Sequence, residues 1–247
     1  MRHIYLAIIA VLALSMAATQ ALRAGSPPDA AANSADVNGT VKLEGTAPKL
    51  THINMSADPA CAKSHPGGAT VQDIAADANG GLENVVVFVV DGLGNKTFDP
   101  PSQPAVMEQK GCMYQPHVVA MQTNQKLEVV NDDSTIHNIH PLPLNNREWN
   151  KAQAPGTRVD MTFAREEIAI PMKCNVHPWM RSYIAVFKHP YFAVSTENGS
   201  FDLKNLPPGN YTVQAWHEKL GTLTQKVTVG PGETKTLDLV FKAKPGM

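Results

Sequence analysis

This 247-residue chain lacks several ingredients of common enzymes and membrane proteins. It has no Walker-type or GxGxxG glycine spacing and no GxSxG, so it offers neither a phosphate-cradling loop nor a nucleophile elbow. It has no CxxCH, which excludes covalent c-type haem. No two histidines are separated by a single residue. With a formal net charge of −1, it presents no basic footprint for nucleic acid or an anionic membrane surface. Amphipathic helix is scarce too, and NNREWNKA (145–152) is the best candidate for one. The one long apolar run, from about Ile4 to Ala18, is shorter than the roughly 20 residues a membrane span needs. Arg2 and His3 precede it and the small residues Ala21 and Ala24 follow it, so residues 1–24 read as an export signal. Its removal would leave 19 bases against 22 acids, a net charge of −3. No cysteine follows closely enough to take a lipid. An exported protein, periplasmic or extracellular, with no membrane span in its mature form, is expected.

What the chain does contain is strand. Residues 25–36, GSPPDAAANSAD, read as a flexible linker of small and polar residues. Beyond them come short β-branched runs separated by Gly, Pro and Asn-Asp punctuation. They are NGTVKLEG, ENVVVFVVDG, HVVAMQ, QKLEVVN, TRVDMTFA, EEIAIPM and RSYIAVFK, then GSFDLKN, NYTVQAWH, TQKVTVG and KTLDLVF. In the last run Leu237, Leu239 and Phe241 alternate with other residues, as a half-buried strand requires. The fold class is therefore all-β, built as β-sandwiches.

One stretch stands out chemically. CNVHPWM (174–180) packs a thiol, an imidazole and a thioether into seven residues. Soft sulfur favours Cu(I) and imidazole suits Cu(II), so the mixture serves both oxidation states of copper. A second imidazole is available upstream in NDDSTIHNIH, where His137 follows a strand and a polar turn. His140 lies three residues on, so in an extended strand it points to the opposite face. A zinc site from Cys174, His177, His137 and His140 is the alternative reading of these residues. Cys61 and Cys112 are the remaining cysteines, and in an oxidising compartment a disulfide between them is the default. His65 and His117 lie shortly after them and are candidates for a second metal site. His189 and His217 read as ordinary surface or sheet residues.

The segment from about Met113 to Phe187 resembles the cupredoxin family of type 1 copper proteins, and most of all its amicyanin branch. YQPHVVAMQTNQKLEVVND is similar to the family's opening strand pair, with Asn131 closing the second strand. IHNIH resembles the segment carrying the first histidine ligand, and CNVHPWM the short Cys-x2-His-x2-Met ligand loop. The resemblance implies a single type 1 copper ion held by His137, Cys174, His177 and Met180. It implies that Asn138 ties the two ligand loops together. It also implies that His177 is the ligand nearest solvent, with Pro178 and Trp179 as an apolar electron port. Residues 197–242, from NGSF through LPPGNY to the final alternating strand, resemble a carboxypeptidase regulatory-like domain of transthyretin-like fold.

The division expected is a cupredoxin-like copper domain with an N-terminal extension over 37–188, followed by the regulatory-like sandwich over 189–247. VNGTVKLEGTAP and NVVVFVVDG also resemble opening strands of that second module, so an inserted copper domain is the alternative. The expected function is one-electron transfer between redox protein partners, with no catalysis and no nucleic acid. Copper nitrite reductases and multicopper oxidases need further histidine clusters, which the missing HxH pairs deny. The other readings are a copper storage or delivery protein and a non-catalytic β-sandwich binding module.

Overall fold

The computed structural model describes residues 33–243. The export signal expected in 1–24 lies outside them, as does most of the linker expected in 25–36. The end of that linker is corrected: Ala35 and Asp36 already belong to a ten-residue strand, Ala35–Glu44. The chain is all-β, and among the described residues Pro59–Ser64 is the one α-helix. NNREWNKA is not helical. The backbone N–H groups of Leu144, Asn145 and Asn146 instead converge on the Glu167 carboxylate, which offers these donors an alternative to helical pairing.

Two sandwiches share the chain, and their order differs from the consecutive division expected. Ala35–Glu44 pairs antiparallel with Ser200–Leu206 and parallel with both Thr234–Thr236 and Leu239–Lys242. Facing it, Val86–Asp91 lies between Phe192–Val194 and Gly209–His217, with Gly221–Val229 beyond. Hydrogen-bonded ladders thus join residues 35–91 to the C-terminal strands, and one core cluster containing Val37, Val87, Val213 and Phe241 runs through both. Residues 37–188 and 189–247 are therefore not the two structural units; the arrangement is the insertion weighed as the alternative. The KTLDLVF run is split at Leu237 and Asp238 into two short strands. At this break the Leu237 carbonyl would lie 2.0 Å from any Cβ at position 39, so Gly39 is required there.

The inserted sandwich spans the strands from Ala105–Gln109 to Arg181–Phe187. One of its sheets runs, in spatial order, Lys151–Gln153, His137–Pro141, Glu167–Lys173, Arg181–Phe187 and Val118–Gln122. The other runs Arg158–Met161, Leu127–Asn131, Ala105–Gln109 and Tyr114–Gln115. Met107, Met121, Val129, Ile139, Ile184 and neighbours fill the space between.

Val86, Phe88, Val118, Ala185 and Phe187 form a third cluster where the two sandwiches meet. This joint explains the unbroken apolar run of ENVVVFVV. Val85, Val87 and Val89 enter the outer core, while Val86 and Phe88 enter the joint, so both faces of the strand are buried.

Between the outer strands Ala35–Glu44 and Val86–Asp91 the chain throws out an arm that packs on the insert. It carries the helix and a two-stranded ribbon, His52–Ile53 with Ala69–Thr70. Met55 and Cys61 of this arm are buried in the core of the inserted sandwich.

Candidate metal centre

The four expected ligand residues come from two places. His137 opens the strand His137–Pro141, and Cys174, His177 and Met180 lie on the loop between Glu167–Lys173 and Arg181–Phe187. That loop closes on itself: the Cys174 N–H donates to the Met180 carbonyl (3.2 Å) and the Met180 N–H to the His177 carbonyl (3.0 Å). Tyr114 braces both ligand-bearing strands, its hydroxyl donating to the carbonyls of Asn138 and Lys173. Burial, and then the nearby Cys174 charge, hold its own ionisation far above the usual phenol range.

The structure brings three of the four expected ligand side chains into one cluster. One ligand atom each from His137, Cys174 and His177 lies within 4.8 Å of the others, and all three residues are buried. The two Nδ1 atoms are 2.9 Å apart, and Cys174 Sγ is 3.8 Å from His177 Nδ1. Met180 is fully buried on the same loop, in the same apolar cluster as Cys174. The Asn138 and His177 backbone N–H groups donate to Cys174 Sγ at 3.2 and 3.4 Å.

Asn138 is placed differently from its expected role. Its side-chain amide bonds Asn150, and it is the backbone N–H that reaches across to the ligand loop. His140 is outside the cluster, its ring held by Asn175 and Glu148, so the four-residue zinc set is not assembled.

The far nitrogens of both imidazoles meet carboxylates, and the sequence reading missed both acids. Asp133 accepts from His137 Nε2 at 2.9 Å, and also from the backbone N–H groups of Gly111 and Cys112. Asp58 accepts from His177 Nε2 at 3.0 Å and from the Thr135 hydroxyl at 2.9 Å. Its other oxygen caps the helix Pro59–Ser64 through the N–H groups of Ala60 and Cys61. Asp-Pro before Cys61 is a helix-start signal that could have flagged this residue. Such carboxylate–imidazole pairs fix the tautomer and turn Nδ1 toward a metal.

These pairs also set the charges. Burial would raise the Asp58 carboxyl, but the bonds from His177, Thr135 and the helix amides outweigh it and leave it at about 2. Burial opposes charge on His137, yet the Asp133 bond and the Cys174 sulfur lift it to about 9. Burial likewise opposes a thiolate at Cys174, but His137 and three backbone N–H groups bring the thiol down to about 7. The donor set fits a soft or borderline metal ion: a readily ionised thiol and two oriented imidazoles, with a thioether on the same loop.

The expected electron port requires correction. His177 is 2% exposed, because the arm lies over it. Cys61 Sγ is 3.6 Å from its Nε2, and the expected Cys61–Cys112 disulfide is formed at this spot. Trp179 is half-buried, with its ring 5.2 Å from His177 and its indole N–H on the Cys112 carbonyl, while Pro178 alone is exposed. The arm occupies the space in which a partner would meet the imidazole edge.

Among the described residues, the remaining histidines do not form a second cluster with each other. His65 bonds the Gly111 carbonyl, and His117 bonds Glu218. His217 ends the strand Gly209–His217, whereas His189 lies in the bend between Arg181–Phe187 and Phe192–Val194, and neither is at the surface. Both are buried, and burial lowers both pKa values, that of His217 to about 4.

Residues 184–242 match the carboxypeptidase regulatory-like domain family. No curated protein matches the chain. Similar solved structures include a purple cupredoxin from Nitrosopumilus maritimus, at 22% identity over 33% of this chain and 98% of that one, with a TM-score of 0.29. A copper-containing nitrite reductase from Thermus scotoductus SA-01 is 20% identical, with a TM-score of 0.33. That match covers 41% of this chain but only 25% of the reductase. A Cu(I) amicyanin mutant is 14% identical over 40% of this chain and 97% of that one, with a TM-score of 0.31.

Proposed function

We propose that this chain is an exported type 1 copper protein that carries single electrons between redox protein partners. The observation that carries this reading is the convergence of His137, Cys174 and His177 in a buried cluster, with both far imidazole nitrogens taken up by carboxylates. A copper ion bound there would supply one-electron Cu(I)/Cu(II) chemistry. The protein's part is to hold the donors still. His137 is fixed by a sheet strand and Asp133, and His177 by Asp58 and the closed loop. The N–H bonds to Cys174 Sγ would spread a thiolate's charge, and Met180 would supply the thioether donor. With no HxH pair to build a catalytic copper cluster, the protein is read as a carrier and not an enzyme.

The test is the visible spectrum of the copper-loaded, oxidised protein. An intense thiolate-to-copper band is expected, lost in Cys174→Ser while the β-fold persists. A colourless copper-loaded protein, or an unchanged band in the variant, overturns the assignment.

One observation favours copper storage or delivery as the second reading: His177 is shielded by the arm and not offered to solvent. Copper loss to a chelator separates the two. A carrier keeps its ion over many turnovers, whereas a donor releases it readily.

A further inference from the structure

The outward face of His177 is as well furnished as its inward one. Cys61 Sγ, Cys112 Sγ and a ring nitrogen of His177 all lie within 4.8 Å of one another, and all three residues are buried. Asp58 reaches His177 Nε2 from the same side. Asp133 holds the backbone of Gly111 and Cys112 in place. Two sulfurs, an imidazole nitrogen and a carboxylate thus arrive at one point from three separate stretches of chain. A disulfide that only pinned the arm would need no imidazole nitrogen facing its sulfur.

We propose that Cys61, Cys112 and His177 Nε2 form a second soft-metal site, which takes Cu(I) and which the disulfide keeps shut. In the oxidised protein neither sulfur is a thiolate, so no ion can be held. A dithiol reductant opens the site: the S–S bond breaks, the pair takes up two electrons and two protons, and the reductant leaves as its own disulfide. Metal binding then releases both thiol protons and the His177 Nε2 proton to solvent. Two thiolates and one imidazole are soft donors that suit Cu(I). The ion takes the place of the Nε2 proton that Asp58 accepts, and Asp58 keeps its bonds to Thr135 and the helix amides. His177 belongs to both sites, with Nδ1 facing Cys174 and Nε2 facing Cys61. An ion captured on the arm side is therefore one imidazole away from the inner cluster, and copper capacity follows the redox state of the arm. This goes beyond the electron-carrier reading and does not depend on it, because the outer site makes no use of Cys174.

The experiment uses the full chain, reduced in denaturant with a phosphine and refolded under argon. A count of three free thiols per chain verifies the starting state. Cu(I) is then titrated in competition with bicinchoninate. The disulfide form is expected to take one ion and the dithiol form two. Cys174→Ser in the dithiol form should keep the outer ion, and the Cys61→Ser, Cys112→Ser double variant should lose it. Equal uptake by the disulfide and dithiol forms overturns the proposal, as does an outer ion that survives the double variant. Should that variant fail to fold, alkylation of the dithiol wild type decides. One added Cu(I) per outer site must protect Cys61 and Cys112 from iodoacetamide, and unprotected thiols refute the site. Failure of the inner copper reading looks different: the disulfide form would take none while the dithiol form still took one.

Discussion

Replacing Asp58 by alanine tests whether the arm is fastened to the metal centre by its carboxylate or only by the disulfide. Asp58 makes four hydrogen bonds: to the Ala60 and Cys61 N–H groups (2.8 and 3.3 Å), the Thr135 hydroxyl (2.9 Å) and His177 Nε2 (3.0 Å). Loss of the helix cap costs about 1 kcal/mol. Loss of a hydrogen bond to a charged partner costs about 1.5–3 kcal/mol, and here it also leaves a buried imidazole nitrogen unpaired. Because one side chain makes all four bonds, the losses are not independent, and a total of about 3 kcal/mol is expected. For a protein of this size that lowers the melting temperature on the order of 10 °C. Asp58→Asn keeps a good capping residue and removes only the charge, so it should cost about half as much. Thermal and urea unfolding of the metal-free, disulfide-intact proteins measures both. A wild-type-like stability for Asp58→Ala, within about 0.5 kcal/mol, would refute the argument that this carboxylate locks His177.

Other expectations follow from the same geometry. Glu167 accepts the N–H groups of Leu144, Asn145 and Asn146 and the Asn146 amide, and these bonds outweigh burial to hold its carboxyl below the usual range. Glu167→Gln should therefore cost about 2 kcal/mol at neutral pH. Because the folded pKa is depressed, that stabilisation is present above about pH 4.3 and is lost as pH falls through the folded value. The urea midpoints of wild type and variant should accordingly differ at pH 6 and draw together as pH falls below the folded value. Removing the disulfide, whose cysteines are 51 positions apart, should cost about 4 kcal/mol by the loop-closure model. It should also raise the reactivity of His177 toward diethylpyrocarbonate in the metal-free protein. Met180→Gln should keep copper bound while voltammetry records a lower potential, because an oxygen donor favours Cu(II). An unchanged potential would remove Met180 from the ligand set.

Trp179 was expected to meet a redox partner, and the structure gives it another role. Its indole N–H holds the Cys112 carbonyl beside the disulfide, so Trp179→Phe should loosen the arm. Amide exchange in the helix Pro59–Ser64 should then speed up relative to wild type.

The sequence by itself determined the elements and singled out the side chains expected as inner donors. Period-two alternation and Gly, Pro and Asn punctuation are local signals, and every run read as strand contains one in the structure. Cys174, His177 and Met180 share a seven-residue loop, so chain connectivity alone keeps them close. His137 was found because its ligand-like spacing sits directly after a strand. Only the tertiary structure decided the rest. ENVVVFVV reads equally well as a strand of either sandwich, and its ladder to Gly209–His217 settles the matter across more than 120 residues of chain. Asp58 lies 119 residues from His177. Nothing local to it distinguishes a helix cap from a carboxylate that also pairs an imidazole. His177 likewise carries no local mark of burial, since the groups covering it come from an arm far upstream. Periodicity reports the environment of a residue along its own element, whereas the covering of one element by another is fixed by packing between distant segments. The side chains that cluster were therefore legible in the sequence, and the arm over them was not.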